Sequence, residues 1–337
     1  MLRKIKAYLF FIKVFAPILY WTIRQQVFYL FILRKKINKL FEVTDYSIQK
    51  NDKKRVRFFA TYVPVMMGEG FSLIRKKKLT FQERKLLMLL SAATPLFDDF
   101  FDDENLSINN LELLIAQGIH YIPQNTKEKI LLEISLLIKP LLKNESDYIQ
   151  LCLLIFEKQK LANKLQKNNT TSWEEIKKIT FEKSGNSTLL YWHILKNNDA
   201  LEIKEIVYLS GALTQYTDDI FDIWFDDKDG IITLANKAET INFLEHDFKN
   251  EIKKIVTKVD LLPLEKKKKV KFLQLQFFFF SRGLVALHQL KNCCQNESLF
   301  ISKSHTRSQL VCDMEKVKNN ITWINIFYES YNEVVSF

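Results

Sequence analysis

Gly211-Ala212-Leu213-Thr214-Gln215-Tyr216-Thr217-Asp218-Asp219-Ile220-Phe221-Asp222, running on through Ile223-Trp224-Phe225 to Asp226-Asp227, is the stretch on which the reading of this chain turns. Apolar residues at helical spacing fill 201–225, so the stretch is predicted to lie on one long helix. Residues four apart on a helix share a face, about 6 Å apart along the axis. Asp218, Asp222 and Asp226 therefore form a ladder. Like charges stacked this way destabilise a helix. Their neighbours Ile220, Phe221 and Trp224 imply partial burial, which raises the cost unless cations occupy the ladder.

The same spacing occurs once more. Leu96-Phe97-Asp98-Asp99-Phe100-Phe101-Asp102-Asp103-Glu104 stands 120 positions upstream, counted from Asp98 to Asp218. Here Asp98 pairs in space with Asp102, and Asp99 with Asp103. One acidic run reads most simply as a solvated helix face. Two runs with one internal spacing, both set among large apolar side chains, read as surfaces that share divalent ions across an apolar hollow. Mg2+ suits them, because it takes hard oxygen ligands, keeps several waters and binds through a few carboxylates plus substrate phosphates. Metals so held clamp a diphosphate and neutralise the charge that develops as it leaves.

The rest of the composition is that of a helical protein. Of 337 residues, 47% are hydrophobic, and only 7 Gly and 6 Pro interrupt them. Sheets need frequent turns, and turns need Gly and Pro. The expectation is an all-α chain in a single domain over 1–337, with 1–45 as N-terminal apolar helices packed on it. Thr80 and Glu83 spell a capping box at a helix start, and Pro95 is expected to bend that helix. Further helices are expected over 126–142, 146–165, 173–195 with a break around Gly185, 264–290 and 307–331. The lysines at 76–78 and 266–269 read as solvated helix ends or loops.

The net charge is +11, which favours nucleic acid, anionic membrane or phosphorylated small molecules as partners. Acid pairs gain nothing on nucleic acid unless metals sit on them, so nucleic acid is not expected. Residues 7–33 are rich in Phe, Leu, Ile and Tyr, but Lys13 and Arg24 interrupt them before the roughly 18 uncharged residues of a spanning helix. No small-residue cleavage site follows. A peripheral membrane contact is left open there, as is a homodimer. The four cysteines Cys152, Cys293, Cys294 and Cys312 form no CxxC pair, which favours a reduced, cytoplasmic setting.

At these residues the chain resembles the class I isoprenoid synthases: trans-prenyl diphosphate synthases, terpene cyclases and their relatives. The stretch 211–222 resembles the pattern G-x-x-F-Q-x-x-D-D-x-x-D, with Thr214 where Phe is usual. Lys183-Ser184-Gly185 resembles the family's lysine before a helix break. Gly230-Ile231-Ile232-Thr233-Leu234 resembles its later G-K-x-T-L, without the lysine. The likeness extends over about 50–240 and is faint at both ends.

The resemblance implies a bundle of long helices around a central apolar cavity. It implies three Mg2+ ions as cofactor and a prenyl diphosphate as substrate. Asp98, Asp99 and Asp102 look like ligands of the first metal group, with Asp103 as an addition. Asp218 and Asp222 look like ligands from the second, assisted by Asp219, and Asp226 extends the ladder in the manner of the cyclases' second metal motif. Lys183 looks like a diphosphate contact, and Gln215 lies one turn before Asp219, where it could line the pocket. Phe97 and Tyr216 stand beside the motifs as candidate pocket residues. Lys228, Arg307, Arg282 and Arg75 are further candidates for the diphosphate.

Departures from the family bear on the reaction. Chain-elongating members bind a second diphosphate through an Arg pair after the first motif, and 104–126 holds no Lys or Arg. Their upstream G-G-K-x-x-R-P is echoed only in part by Asn51-Asp52-Lys53-Lys54-Arg55-Val56-Arg57-Phe58. The reading therefore favours ionisation and cyclisation of one allylic diphosphate over chain elongation by a trans-prenyltransferase. A helical membrane-surface protein that keeps the fold without activity is the third reading.

Overall fold

The computed structural model describes residues 2–42, 46–195, 200–293 and 299–335, and every regular element among them is helical. Cys294 lies outside the described residues. The helices are α1 (Leu2–Phe28), α2 (Arg34–Phe41), α3 (Tyr46–Pro64), α4 (Phe71–Ile74), α5 (Phe81–Asp102), α6 (Ile108–Gln117), α7 (Thr126–Ile138) and α8 (Glu145–Gln166). They continue with α9 (Trp173–His193), α10 (Leu201–Phe221), α11 (Ile223–Asp229), α12 (Leu234–Lys237), α13 (Ile241–Leu261), α14 (Lys266–Cys293), α15 (Arg307–Leu310) and α16 (Val317–Val334). Contacts gather them into two compact units, one made of 17–160 with 189–199, the other of 1–16, 161–188 and 200–337.

The unit of 17–160 and 189–199 is built on α5. Its expected capping box is present: Glu83 N donates to Thr80 Oγ1, and Thr80 N donates to the Glu83 carboxylate. Arg75 grips the same carboxylate in a buried, two-pronged pair, at 2.7 and 2.9 Å, and also donates to the Leu195 carbonyl. Such fork geometry is the strong form of an Arg–carboxylate contact. Arg75, a candidate for the diphosphate in sequence, is therefore committed to the start of α5. Pro95 sits inside α5 without ending it, and its carbonyl accepts from Arg55 Nη2 at 3.0 Å. Helix α3 lies along α5. Between α3 and α4 the chain takes a π-helical turn, Val65–Gly70, tied to α5 by a buried Arg84–Glu69 pair at 2.8 Å.

Helix α7 stops earlier than its apolar pattern, because Pro140 forces a 3-10 turn at Lys139–Leu141. Its start is held by the fully buried Glu128, which accepts from Asn110, Tyr121, the Gln124 backbone N–H and Asn125 at 2.6–3.0 Å.

In the unit of 1–16, 161–188 and 200–337, α10 packs against α13 and α14. The expected break at Gly185 does not occur, and α9 runs through it. Gly185 serves a close approach instead: a Cβ there would stand 2.4 Å from the Tyr208 ring of α10. Gly211 of α10 makes the matching approach, with a Cβ 2.0 Å from Thr188 Oγ1 and 2.5 Å from the Ser184 carbonyl. The two glycines let α9 lie against α10 at the level of Lys183, Ser184 and Gln215.

The lysines at 266–269 form the first turn of α14. Phe277, Phe278 and Phe280 are all buried there. Phe278 meets Trp323 and Phe327 of α16 at 5.0 and 6.1 Å, and Phe277 meets Tyr331 at 5.4 Å. Phe10 and Phe11 of α1 join the same cluster through Phe327 and Trp323, at 5.1 and 5.2 Å. The helix expected over 307–331 is divided into α15 and α16 by a non-helical link. Two helical stretches are long and apolar enough to cross a membrane, Leu2–Lys39 and Lys266–Cys293, and the second is mostly buried in the protein.

Candidate functional site

The second acidic run occupies the junction of α10 and α11. Asp222 leaves helical geometry (φ −94°, ψ 6°) and separates the two helices, which sequence periodicity reads as one. The four-residue step survives the junction. Asp222 N donates to the Asp218 carbonyl at 2.8 Å, and Asp226 N to the Asp222 carbonyl at 2.9 Å. The ladder of Asp218, Asp222 and Asp226 thus stands, with Asp222 as its hinge. Gly230, at φ 69°, closes α11, a left-handed position that favours glycine.

Asp219 is the buried member. Gln215 Nε2 donates to its Oδ1 at 3.0 Å, Ser184 Oγ donates to Gln215 Oε1 at 3.2 Å, and the Leu234 N–H approaches Oδ2 at 3.4 Å. Gln215 therefore reaches the site by orienting a carboxylate. Tyr216, three residues before Asp219 on α10, is wholly buried; its hydroxyl donates to Asp247 at 3.2 Å and its ring meets Phe248 at 5.1 Å. It supports α10 from the core. Asp247 is in turn held by Lys177 at 2.6 Å.

The electrostatics of this run are those of negative charge without close compensation. Among the described residues, no Lys or Arg nitrogen lies within ion-pair distance of Asp218, Asp219, Asp222 or Asp226. Burial, with Gln215 and Lys183 acting against it, pushes Asp219 up to about 6. Burial and then the charges of Asp219 and Asp222 push the half-buried Asp226 up to about 8. Asp218 is crowded by protein and by Asp219 and Asp222, which raises it, while Arg282 and Lys183 pull it down. It is nonetheless exposed, and water reaching its carboxylate tempers the shift. Burial also raises the exposed Asp222.

Four cations stand nearby on the same unit. Lys183 and Arg282 act on Asp218 through space. Arg282 lies 5.3 Å from the Phe221 ring, Lys228 5.5 Å from Trp224, and Arg307 5.7 Å from Trp224 and 5.8 Å from Phe225. Aromatic faces hold cations electrostatically, so Phe221, Trp224 and Phe225 form a platform that keeps Arg282, Lys228 and Arg307 beside the run. Lys183, Lys228, Arg282 and Arg307 are all candidates from sequence, and the structure brings them to one region.

The first acidic run closes α5 on the other unit. Asp98, Asp99 and Asp102 occupy its last turns, and Asp103 is its extended C-cap. Asp99 is buried and doubly paired, with Arg55 Nη1 at 2.7 Å on Oδ1 and Lys127 Nζ at 2.7 Å on Oδ2. Asp103 accepts from the Asn105 backbone and side chain, which holds its carboxyl below the usual range. Asp98 is half-buried and Asp102 exposed. Phe97 meets the Phe101 ring, tilted, at 5.4 Å. Lys127 and Arg55 were not legible as partners of Asp99. The only hint is that Lys127 is the first cation after the uncharged-to-acidic stretch 104–126.

Among the described residues, no three His, Cys, Asp or Glu side chains converge into a preformed metal cage. Mg2+ does not require one, since it binds through one or two carboxylates, its own waters and a substrate phosphate. The donors at 218–226 fit that requirement: hard oxygens, two of them exposed, carrying charge that the protein leaves uncompensated. Compared with protein-family profiles, curated proteins and solved structures, the chain matches none.

Proposed function

We propose that this protein ionises an allylic prenyl diphosphate with Mg2+, as class I isoprenoid synthases do. The observation that carries the reading is the meeting, on one unit, of the carboxylate ladder Asp218, Asp222 and Asp226 with Lys183, Arg282, Lys228 and Arg307. Carboxylates without close cations suit a divalent ion, and the cations around them suit a polyanionic leaving group. Asp218, Asp222 and Asp226 would hold Mg2+, which when bound neutralises the charge of the departing diphosphate. Gln215 keeps Asp219 oriented within hydrogen-bond distance. Lys183 and Arg282 supply positive potential before substrate arrives, so little reorganisation accompanies charge development. The reading gives Asp98, Asp99, Asp102 and Asp103 the same task on their own unit, where Arg55 and Lys127 must first release Asp99.

The lack of cations over 104–126 and the engagement of Arg55 with Asp99 favour a single-substrate reaction, cyclisation or rearrangement, over chain elongation. The deciding experiment supplies C10 to C25 allylic diphosphates with Mg2+, with and without isopentenyl diphosphate, and follows diphosphate release and products by mass spectrometry. Hydrocarbons or alcohols from one substrate support the proposal. Longer diphosphates move the protein to the transferases. Absence of Mg2+-dependent release from every substrate removes the enzymatic reading altogether.

A further inference from the structure

Past Phe28, α1 passes through a π-helical stretch, Tyr29–Leu33, into α2. On the part of α1 from Pro17 onward, one face is packed: Ile18, Thr22, Gln25, Tyr29 and Leu33 are buried, and Phe28 meets the Phe81 ring at 5.1 Å. The other face is apolar and bare. Leu19, Tyr20, Ile23, Val27, Leu30 and Phe31 are exposed, Phe31 to 83%, and at 100° per residue they cover an arc of roughly 120°.

At the end of this face the same unit holds a recess of about 240 Å3, lined by Tyr29, Leu30, Arg34, Lys53, Lys54 and Arg57 among others, with no acidic residue among the described residues of its wall. Leu30 belongs both to the recess and to the bare face. On α3, Phe58 and Tyr62 follow Lys54 at one and two turns; both are exposed and their rings meet, tilted, at 4.5 Å.

We propose that this recess binds the phosphate of an anionic phospholipid headgroup while the bare face of α1 lies in the surface of the bilayer. Charge selects the occupant. Between 2 and 41 the chain carries nine Lys and Arg and no Asp or Glu, so the complementary surface is anionic as well as apolar. A bilayer rich in acidic phospholipid offers both at once, and a helix with an apolar face and a cationic flank lies in its interface. The opposite face of the helix buries Thr22 and Gln25 in the protein, so this helix lies on the membrane and does not cross it. The proposal is independent of the reaction proposed above.

The test is co-sedimentation of the full chain with phosphatidylcholine vesicles with and without phosphatidic acid, at low and high salt. Binding is expected only to the phosphatidic acid vesicles, falling steeply as salt rises. The combined variant Arg34→Ala, Lys54→Ala, Arg57→Ala should lose about a hundredfold in partition, at roughly fivefold per cation. Phe31→Ser with Ile23→Ser, both on exposed positions and checked for unchanged helicity, should lose binding while the recess stays intact. Equal binding to phosphatidylcholine alone, full binding by the cation variant, or resistance to alkaline extraction would each overturn the proposal. So would thermal stabilisation by inorganic phosphate or diphosphate without vesicle binding, since it would give the recess to a soluble anion.

Discussion

The acidic runs at 98–103 and 218–227 are spelled alike and solved differently. At the end of α5, the buried Asp99 is met by two cations at 2.7 Å, one from α3 and one from α7, and Asp103 is tied to Asn105. At the α10–α11 junction no cation among the described residues comes within ion-pair distance, and carboxyl groups are pushed upward by burial and by one another. Spacing fixes which carboxylates share a face. What the rest of the chain brings to that face decides whether the charge is already spent within the protein or kept for a ligand. By this measure the second run is the stronger candidate for a cation, because a buried charge that loses nothing by exchanging partners accepts a new one most readily.

The largest effect should therefore come from the second run. Asp218→Asn combined with Asp222→Asn, both at exposed positions, should lower Mg2+-dependent diphosphate release by about 10^3-fold, the scale of removing a preorganised charge-stabilising group. Asp99→Asn should cost activity less. Release of inorganic diphosphate under substrate saturation reads both. If Asp99→Asn proves the more damaging, the ranking of the two runs is wrong.

A second effect tests how the carboxylates of α10 are kept beside the cation of α9. Gly211→Ala would drive its Cβ to 2.5 Å from the Ser184 carbonyl. Backbone cannot rotate aside, so overpacking of about 3 kcal/mol is expected. Gly185→Ala meets the Tyr208 ring at 2.4 Å, and a side chain can swing, so about 1 kcal/mol suffices. Denaturant midpoints of the two variants compare them directly. Equal losses would mean that α9 shifts as a whole and does not rest on Gly211.

Much of this was legible beforehand. The scarcity of Gly and Pro foretells the all-helical chain, and Thr80 with Glu83 foretells the start of α5. The four cations near the second run stand out as residue types. Two readings failed for one physical reason: periodicity cannot see tertiary packing. Gly185 looks like a helix breaker, yet it is where a neighbouring helix comes close. The apolar pattern of 201–225 looks unbroken, yet Asp222 turns out of helical geometry. The partners of Asp99 were hidden because they come from 44 positions upstream in the case of Arg55, and from α7, beyond the intervening α6, in the case of Lys127.

The two halves of the comparison also answer pH differently. Asp219 and Asp226 have folded-state values raised to about 6 and about 8. Their charged forms oppose folding, so stability of the chelator-treated protein should fall as pH rises from about 4 to about 8. The size is a few kcal/mol, since the rise of Asp219 alone, from 3.8 to about 6, corresponds to about 3 kcal/mol and the coupled carboxyls do not add. Mg2+ should flatten the fall. Glu83, at the start of α5, is opposed by burial but held below its usual range by Arg75 and Thr80. Its contribution is present above the unfolded value near 4.5 and lost as pH falls. A urea midpoint series across this window, with and without Mg2+, separates the two signs.

The smallest effect is the most discriminating, because it predicts opposite signs for the same substitution. Asp99→Asn removes the negative partner of Arg55 and Lys127. Arg55 is partly exposed, so water recovers part of the loss, and destabilisation of about 1 kcal/mol is expected. Asp219→Asn removes a charge that no cation among the described residues pairs with at ion-pair distance, while its amide oxygen can still accept from Gln215. At pH 8 and without Mg2+, this variant should be as stable as the parent or up to about 1 kcal/mol more stable. Adding Mg2+ should reverse the order, because the parent gains a ligand that the variant binds less well. Should Asp219→Asn destabilise the metal-free protein as much as Asp99→Asn does, the second run is compensated after all, and its claim to a cation lapses.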